Sequence, residues 1–248
     1  MPTLARSDGA EIYYEEYGAG PAVLCFSPGS LRSQISFWRT SPRTGQTPAW
    51  MDPTSSLSGE FRVIAMDQRN AGRSRGPLPL AASWDLYAGD QIALLDHLKI
   101  ERCHVLGACI GATFALKLCE LIPDRIISVA LMQPIGRVPD NIEYTRKQVR
   151  ESWGPGMLGV NPALDREAAM TFAQRLFDAD FVHAVTPEFV ASCLTPMLVM
   201  PGNEVAHPAS VAEQLLALAP RAEYLKFWKG EGRAYSVPTI RDFFKRQR

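Results

Sequence analysis

Nine residues, Cys103 to Gly111, read Cys-His-Val-Leu-Gly-Ala-Cys-Ile-Gly and restrict the fold more than any other stretch. The run from Cys103 to Leu106 has strand character, and beyond Gly107 the residues Ala112, Ala115, Leu116 and Cys119 recur at helical spacing. Strand, sharp turn and helix therefore follow one another without a loop. Glycines two positions either side of Cys109 suit such a turn, because a side chain at 107 or 111 would collide with neighbouring backbone while residue 109 is held strained. The pattern is a nucleophile elbow, Gly-x-Cys-x-Gly, with cysteine at its tip. A thiol at the first turn of a helix faces unpaired N–H groups and the positive end of the dipole, which predicts a thiolate with a pKa between roughly 3.5 and 7.5. The alternative is one more small, buried, apolar residue.

A chain of 248 residues, 46% hydrophobic and 21% charged, can bury one sizeable core with a small appended lid. Twenty-six basic against twenty-six acidic residues leave no electrostatic footprint for a nucleic acid or an anionic membrane surface, so neither is an expected partner. The opening residues lack a long apolar core behind basic residues, and no run approaches the about 18 apolar residues of a spanning helix. The cytosol is the expected compartment. Five cysteines at irregular spacing, with no C-x-x-C pair, argue for reduced thiols rather than a disulfide framework or a zinc site.

Strand-like segments at 11–17, 22–27, 62–66, 103–106, 126–132, 196–200 and 223–228 alternate with helical ones at 84–98, 112–121 and 209–219 and a last helix holding Val237, Ile240 and Phe244. That rhythm predicts an α/β fold, a mostly parallel sheet with helices on both faces. Between Gln133 and Thr195 it is interrupted by helices, punctuated by Pro155-Gly156 and Asn161-Pro162. The domains expected are a core of residues 1–135 and 195–248 and a helical cap of 136–194. The stretch 30–60 carries Phe37, Trp38, Trp50 and Met51 among Ser, Thr and Pro, and reads as a partly ordered insertion near the site or a surface elaboration.

In order and motif, the chain resembles the alpha/beta-hydrolase fold family over essentially its whole length. Ser27-Pro28-Gly29-Ser30 stands where the family's His-Gly loop follows the third strand, Asp67 to Ser74 looks like its Asp-x-Arg-Gly-x-Gly-x-Ser turn, and the elbow follows after one helix. The resemblance is to single-domain members with a short helical cap after the sixth strand. It implies Cys109 as nucleophile, the backbone N–H groups of Ser30 and Ile110 as an oxyanion hole, and Glu204, in the loop after the seventh strand, as the acid; Glu204 also reads as a solvated carboxylate or a helix cap.

The family's histidine belongs after the eighth strand, and Lys229-Gly230-Glu231-Gly232-Arg233-Ala234-Tyr235-Ser236 contains none. Of the four histidines, His97 and His104 read as structural, His183 lies in the cap, and His207, on the loop of Glu204, is the best candidate base. A thiolate softens the loss of a base for acylation more than for the water step.

Trp38, Trp50, Trp153, Phe177, Phe181 and Tyr235 are the expected pocket residues. Such a roof suits a small hydrophobic ester, lactone or thioester. No cofactor is implied, since nucleotide-binding glycine patterns and metal-ligand spacings are absent from the sequence. A homodimer is open. The readings are a cofactor-independent hydrolase or acyl-transfer enzyme working through a Cys109 acyl-enzyme; a lyase or isomerase using Glu204, His207 or Tyr235; and a ligand-binding protein on a retired enzyme scaffold.

Overall fold

A computed structural model describes residues 2–247. Eight strands form one sheet in the order β1-β2-β4-β3-β5-β6-β7-β8, namely β1 (Thr3–Ala5), β2 (Glu11–Tyr17), β3 (Ala22–Phe26), β4 (Arg62–Met66), β5 (Cys103–Ala108), β6 (Ile126–Met132), β7 (Met197–Met200) and β8 (Ala222–Tyr224). β2 pairs antiparallel with β1 and β4, and the other pairings are parallel. Every residue of β5 is buried, as a central parallel strand requires.

The period-two alternation of the strands divides the core between two faces. Leu24, Phe26, Ile64, Val105, Val129 and Leu131 meet one layer of helices, α2 (Asp85–His97), α3 (Ile110–Leu121) and α8 (Ala209–Leu218), through Leu94, Leu95, Phe114, Leu118, Val211 and Leu215. Val23, Cys25, Val63, Leu106, Ala130 and Leu198 meet the other, through Trp38, Leu57 and Phe61 beside the short α1 (Pro53–Ser56) and Ile240, Phe243 and Phe244 of α9 (Arg233–Arg246). The expected α/β architecture is therefore the one found.

Two differences concern the ends. The three residues of β1 are too few to carry an alternation signal and were not expected as a strand; they are held by antiparallel pairing to β2. β8 ends at Tyr224 rather than Trp228, because the register with β7 runs from Ala222 to Tyr224 and closes with the Leu225 N–H on the Val199 carbonyl, while Phe227 points outward and Trp228 is buried with its indole N–H on the Pro201 carbonyl.

Between β6 and β7 lie α4 (Ile142–Gln148), a π turn (Val149–Trp153), α5 (Gly154–Val160), α6 (Arg166–Leu176) and α7 (Pro187–Ser192). This insertion is tied down by Trp84 Nε1 donating to the Leu176 carbonyl and Thr113 Oγ1 donating to that of Val182. The five cysteines are all free. No helix among the described residues is long and apolar enough to cross a membrane.

Candidate active site

Cys109 sits between β5 and α3 at φ 57°, ψ −115°, a conformation a non-glycine residue adopts only under constraint. The constraint is visible. Its N–H donates to the Met132 carbonyl at the end of β6, and its carbonyl accepts from Ala112 and, more weakly, Ile135. A Cβ added at Gly107 would lie 2.1 Å from the Gly111 carbonyl oxygen, and one at Gly111 would lie 2.3 Å from that of Phe26. Both glycines are thus steric requirements of the turn.

The sulfur occupies a nest of backbone donors. The backbone N–H groups of Gly29, Ser30 and Ile110 lie near enough to favour its charged form, Ser30 being itself left-handed at φ 54°. These donors draw the thiol toward ionisation, yet burial outweighs them and, with the negative charge of Glu204, pushes Cys109 up to about 11. The expectation of a thiolate below about 7.5 is corrected on this point. The helix terminus supplies its donors, but Cys109 is only 7% exposed, and desolvation of the charged form is the larger effect.

A cavity of about 350 Å³ opens beside the sulfur. Its wall includes Ser30 and Arg32 from the turn after β3, Arg43 and Trp50 from the 30–60 insertion, Gln148, Ser152 and Trp153 from the helices above, and Glu204 and His207 from the loop after β7. The stretch 30–60 is therefore part of the site. The π turn matters here too: its last two residues, Ser152 and Trp153, stand in the cavity wall, in the way such turns recur at functional sites.

Glu204 and His207 face each other across a tight turn, the N–H of His207 donating to the Glu204 carbonyl at 2.9 Å. Their side chains do not join. The Glu204 carboxylate takes Arg43 Nη1 at 2.5 Å and lies 3.9 Å from Lys229 Nζ. Both nitrogens of His207 are shielded and unpartnered, and burial together with Lys229 and Arg43 pushes the ring down to about 3, so it stays neutral. Thiol, carboxylate and imidazole share one cavity without forming a relay.

Four expected pocket residues lie elsewhere. Trp38 is fully buried on the far core face with Met51 and Leu57. Phe177 stands behind Trp153 (ring centroids 4.7 Å) and against Trp84 (5.5 Å), and Phe181, also buried, accepts Arg137 N–H on its carbonyl at 2.7 Å. These aromatics wedge the insertion onto the core. Tyr235 falls on the first turn of α9 and is 67% exposed, because that helix begins at Arg233, earlier than the loop expected there. It is not among the residues of the cavity wall.

The remaining histidines are structural. His97 meets the Tyr14 hydroxyl, His104 meets Ser128 Oγ at 2.8 Å and stacks on Phe244, and His183 bonds the Ala179 carbonyl and packs edge-on against Phe177.

Several residues went unread. Gln133, at φ 40° just beyond β6, lines the cavity and accepts Lys229 Nζ on Oε1 at 3.1 Å; Lys229 also donates to Asn203 Oδ1 at 2.8 Å. Its position at the carboxyl end of a parallel strand was the available signal. Lys229, in the loop where the histidine was sought, reaches the loop of the acid instead. Burial raises the hydroxyl of Tyr144, on α4, against the opposing charge of Arg43 and with small contributions from Cys109 and Glu204.

Sheet order, elbow and flanking helices define one class of protein. The chain matches the alpha/beta hydrolase fold over residues 44–191, more than half its length, and belongs to that family. Among curated relatives, an epoxide hydrolase of Caballeronia sordidicola is 34% identical over 125 residues, covering 50% of this chain and 34% of that one. The chain spans about a third to a half of the length of the curated relatives it matches. Two solved structures are similar over nearly their whole extent. A hydrolase of Pseudomonas aeruginosa PA01 has a TM-score of 0.74 at 20% identity, covering 98% of this chain and 97% of that one. The enol-lactonase of Burkholderia xenovorans LB400 has a TM-score of 0.73 at 21% identity, covering 98% and 100%. At such identities the likeness speaks for the fold.

Proposed function

We propose that the protein is a cofactor-independent hydrolase or acyl-transfer enzyme that attacks a small ester, lactone or thioester through Cys109. The observation that carries this reading is Cys109 held at φ 57°, ψ −115° between β5 and α3 in the cavity wall, with the backbone N–H groups of Gly29, Ser30 and Ile110 near enough to favour negative charge there. In the reaction, Sγ turns out of that nest and bonds to the carbonyl carbon while the carbonyl π electrons pass to oxygen. The oxygen then takes the place of sulfur before Ser30 and Ile110, where fixed donors are worth on the order of 100-fold to 1,000-fold in rate each. The thiol proton is lost to water admitted to the cavity and the leaving oxygen or sulfur takes a proton back from it, since His207, held down at about 3, is too weak a base to carry it. Collapse of the adduct leaves a Cys109 acyl-enzyme, released by water or by an acceptor nucleophile. The names of the relatives, an epoxide hydrolase, carbamate hydrolases and an enol-lactonase, agree with hydrolytic chemistry on this scaffold.

Incubation with 4-nitrophenyl acetate followed by mass spectrometry tests the reading. One acyl group is expected on Cys109, and none on the Cys109→Ala protein. Unchanged turnover in Cys109→Ala overturns it.

A specific observation favours a second reading, a binding protein on the same scaffold. The thiol is held protonated, the carboxylate is committed to Arg43 and the imidazole stands alone. That reading predicts stabilisation by ligands with no acyl adduct and no turnover.

A further inference from the structure

We infer that Arg32 anchors a carboxylate carried by the substrate of the Cys109 site, so that the compound attacked is a half-ester, half-thioester or carboxylated lactone rather than a wholly neutral one. The inference rests on the hydrolase reading for the reaction and on the cavity alone for the anchor.

Arg32 closes the turn Ser30–Arg32, two residues beyond the amide aimed at the Cys109 sulfur, and lines the same cavity. Among the described residues no carboxylate pairs with it. Its Nε is shielded from water and has no acceptor, and burial alone, with nothing to offset it, holds the guanidinium below its ordinary value. Trp50 Nε1, on another part of the wall, is likewise shielded and unpartnered. The only acidic residue in the wall, Glu204, is committed to Arg43. The cavity therefore holds one uncompensated positive charge and orphaned donors, an arrangement that loses free energy until an acceptor arrives.

A carboxylate suits this vacancy, since two oxygens match the planar guanidinium fork. The stem of Arg32 is also held in place. A Cβ on Gly156 of α5 would stand 2.2 Å from Arg32 Cδ and 2.5 Å from Cγ, so the bare glycine is what lets the side chain cross beneath the helix. With the anchor so close in sequence to the Ser30 amide, the carboxylate and the reacting carbonyl belong to one small molecule, within what about 350 Å³ can hold.

The test compares mono-4-nitrophenyl adipate with its methyl-capped diester, and measures adipate binding by calorimetry. The wild-type protein is expected to prefer the mono-acid in kcat/KM. In Arg32→Gln that preference falls by about 10-fold to 100-fold, chiefly through KM, with part restored in Arg32→Lys. Adipate binding weakens by a similar factor. Gly156→Ala, which displaces the stem without removing the charge, lowers the same preference and keeps the test decisive should Arg32→Gln not fold. Equal use of both esters by the wild type, or a preference indifferent to these substitutions, overturns the anchor while leaving the hydrolase standing. Absence of turnover, with adipate binding that Arg32→Gln abolishes, overturns the hydrolase and keeps the anchor. Adipate that does not bind, or binds equally to Arg32→Gln, overturns the anchor on its own.

Discussion

Cys109 shows how two opposed effects are decided by burial. Three amide groups and a helix start favour the thiolate, but in a residue only 7% exposed desolvation outweighs them, and the thiol is pushed up to about 11. Alkylation by iodoacetamide should accordingly quicken about tenfold per pH unit from neutrality toward pH 10, as the thiolate fraction grows. A rate already level by pH 8 would contradict this. Glu204 raises the same thiol through its charge, so Glu204→Gln should make Cys109 more reactive at pH 8 than in the wild type. Slower alkylation of that variant would mean that the carboxylate acts otherwise.

Single elements carry the site through close contacts that leave no room for substitution. β5 can hand over to α3 only because residues 107 and 111 have no side chain. Gly107→Ala, with 2.1 Å available before the Gly111 carbonyl, is expected to cost about 1–3 kcal/mol or more in urea unfolding, since backbone must move to admit it. A melting curve indistinguishable from wild type would show the turn to be looser than described. The turn from Asp67 to Ser74 is fastened in another way: Asp67 accepts from the N–H groups of Ile35 and Arg73, and Arg69 forms a two-pronged, fully buried pair with Asp90 of α2 at 2.7 and 2.8 Å. Asp90→Ala removes the main partner of a buried guanidinium and should destabilise by about 3–5 kcal/mol, measured the same way. A loss below about 1 kcal/mol would imply that Asp8 and the Pro77 carbonyl, which also meet Arg69, suffice.

For the molecule as a whole, three buried imidazoles set the response to acid. Burial brings His104 and His183 from the ordinary 6.5 down to about 4 and His207 down to about 3. Between pH 6.5 and 4 the unfolded chain therefore binds protons that the folded chain refuses, so stability is full above about 6.5 and falls as the pH is lowered through that window. Urea midpoints at pH 7, 5.5 and 4.5 should decline in that order, and His183→Phe should flatten the decline. A flat series in the wild type would place these rings in contact with water.

The sheet, its two helical layers and the elbow were legible in the amino-acid order because their causes are local: apolar periodicity, and glycines where a Cβ would strike backbone at Gly111 and Phe26. The candidate site was legible only in part. Cys109, Ser30, Glu204, His207, Trp50 and Trp153 do line one cavity, whereas Trp38, Phe177, Phe181 and Tyr235 do not, because an aromatic at helical spacing looks the same whether it faces a core or a void. Packing alone determined the rest. It set the protonation of the thiol, turned Glu204 to Arg43 instead of the imidazole, brought Lys229 to Gln133 across 96 residues, and left Arg32 without a counter-charge. Charge balance and desolvation depend on every group that surrounds an atom, and those neighbours come from all parts of the chain.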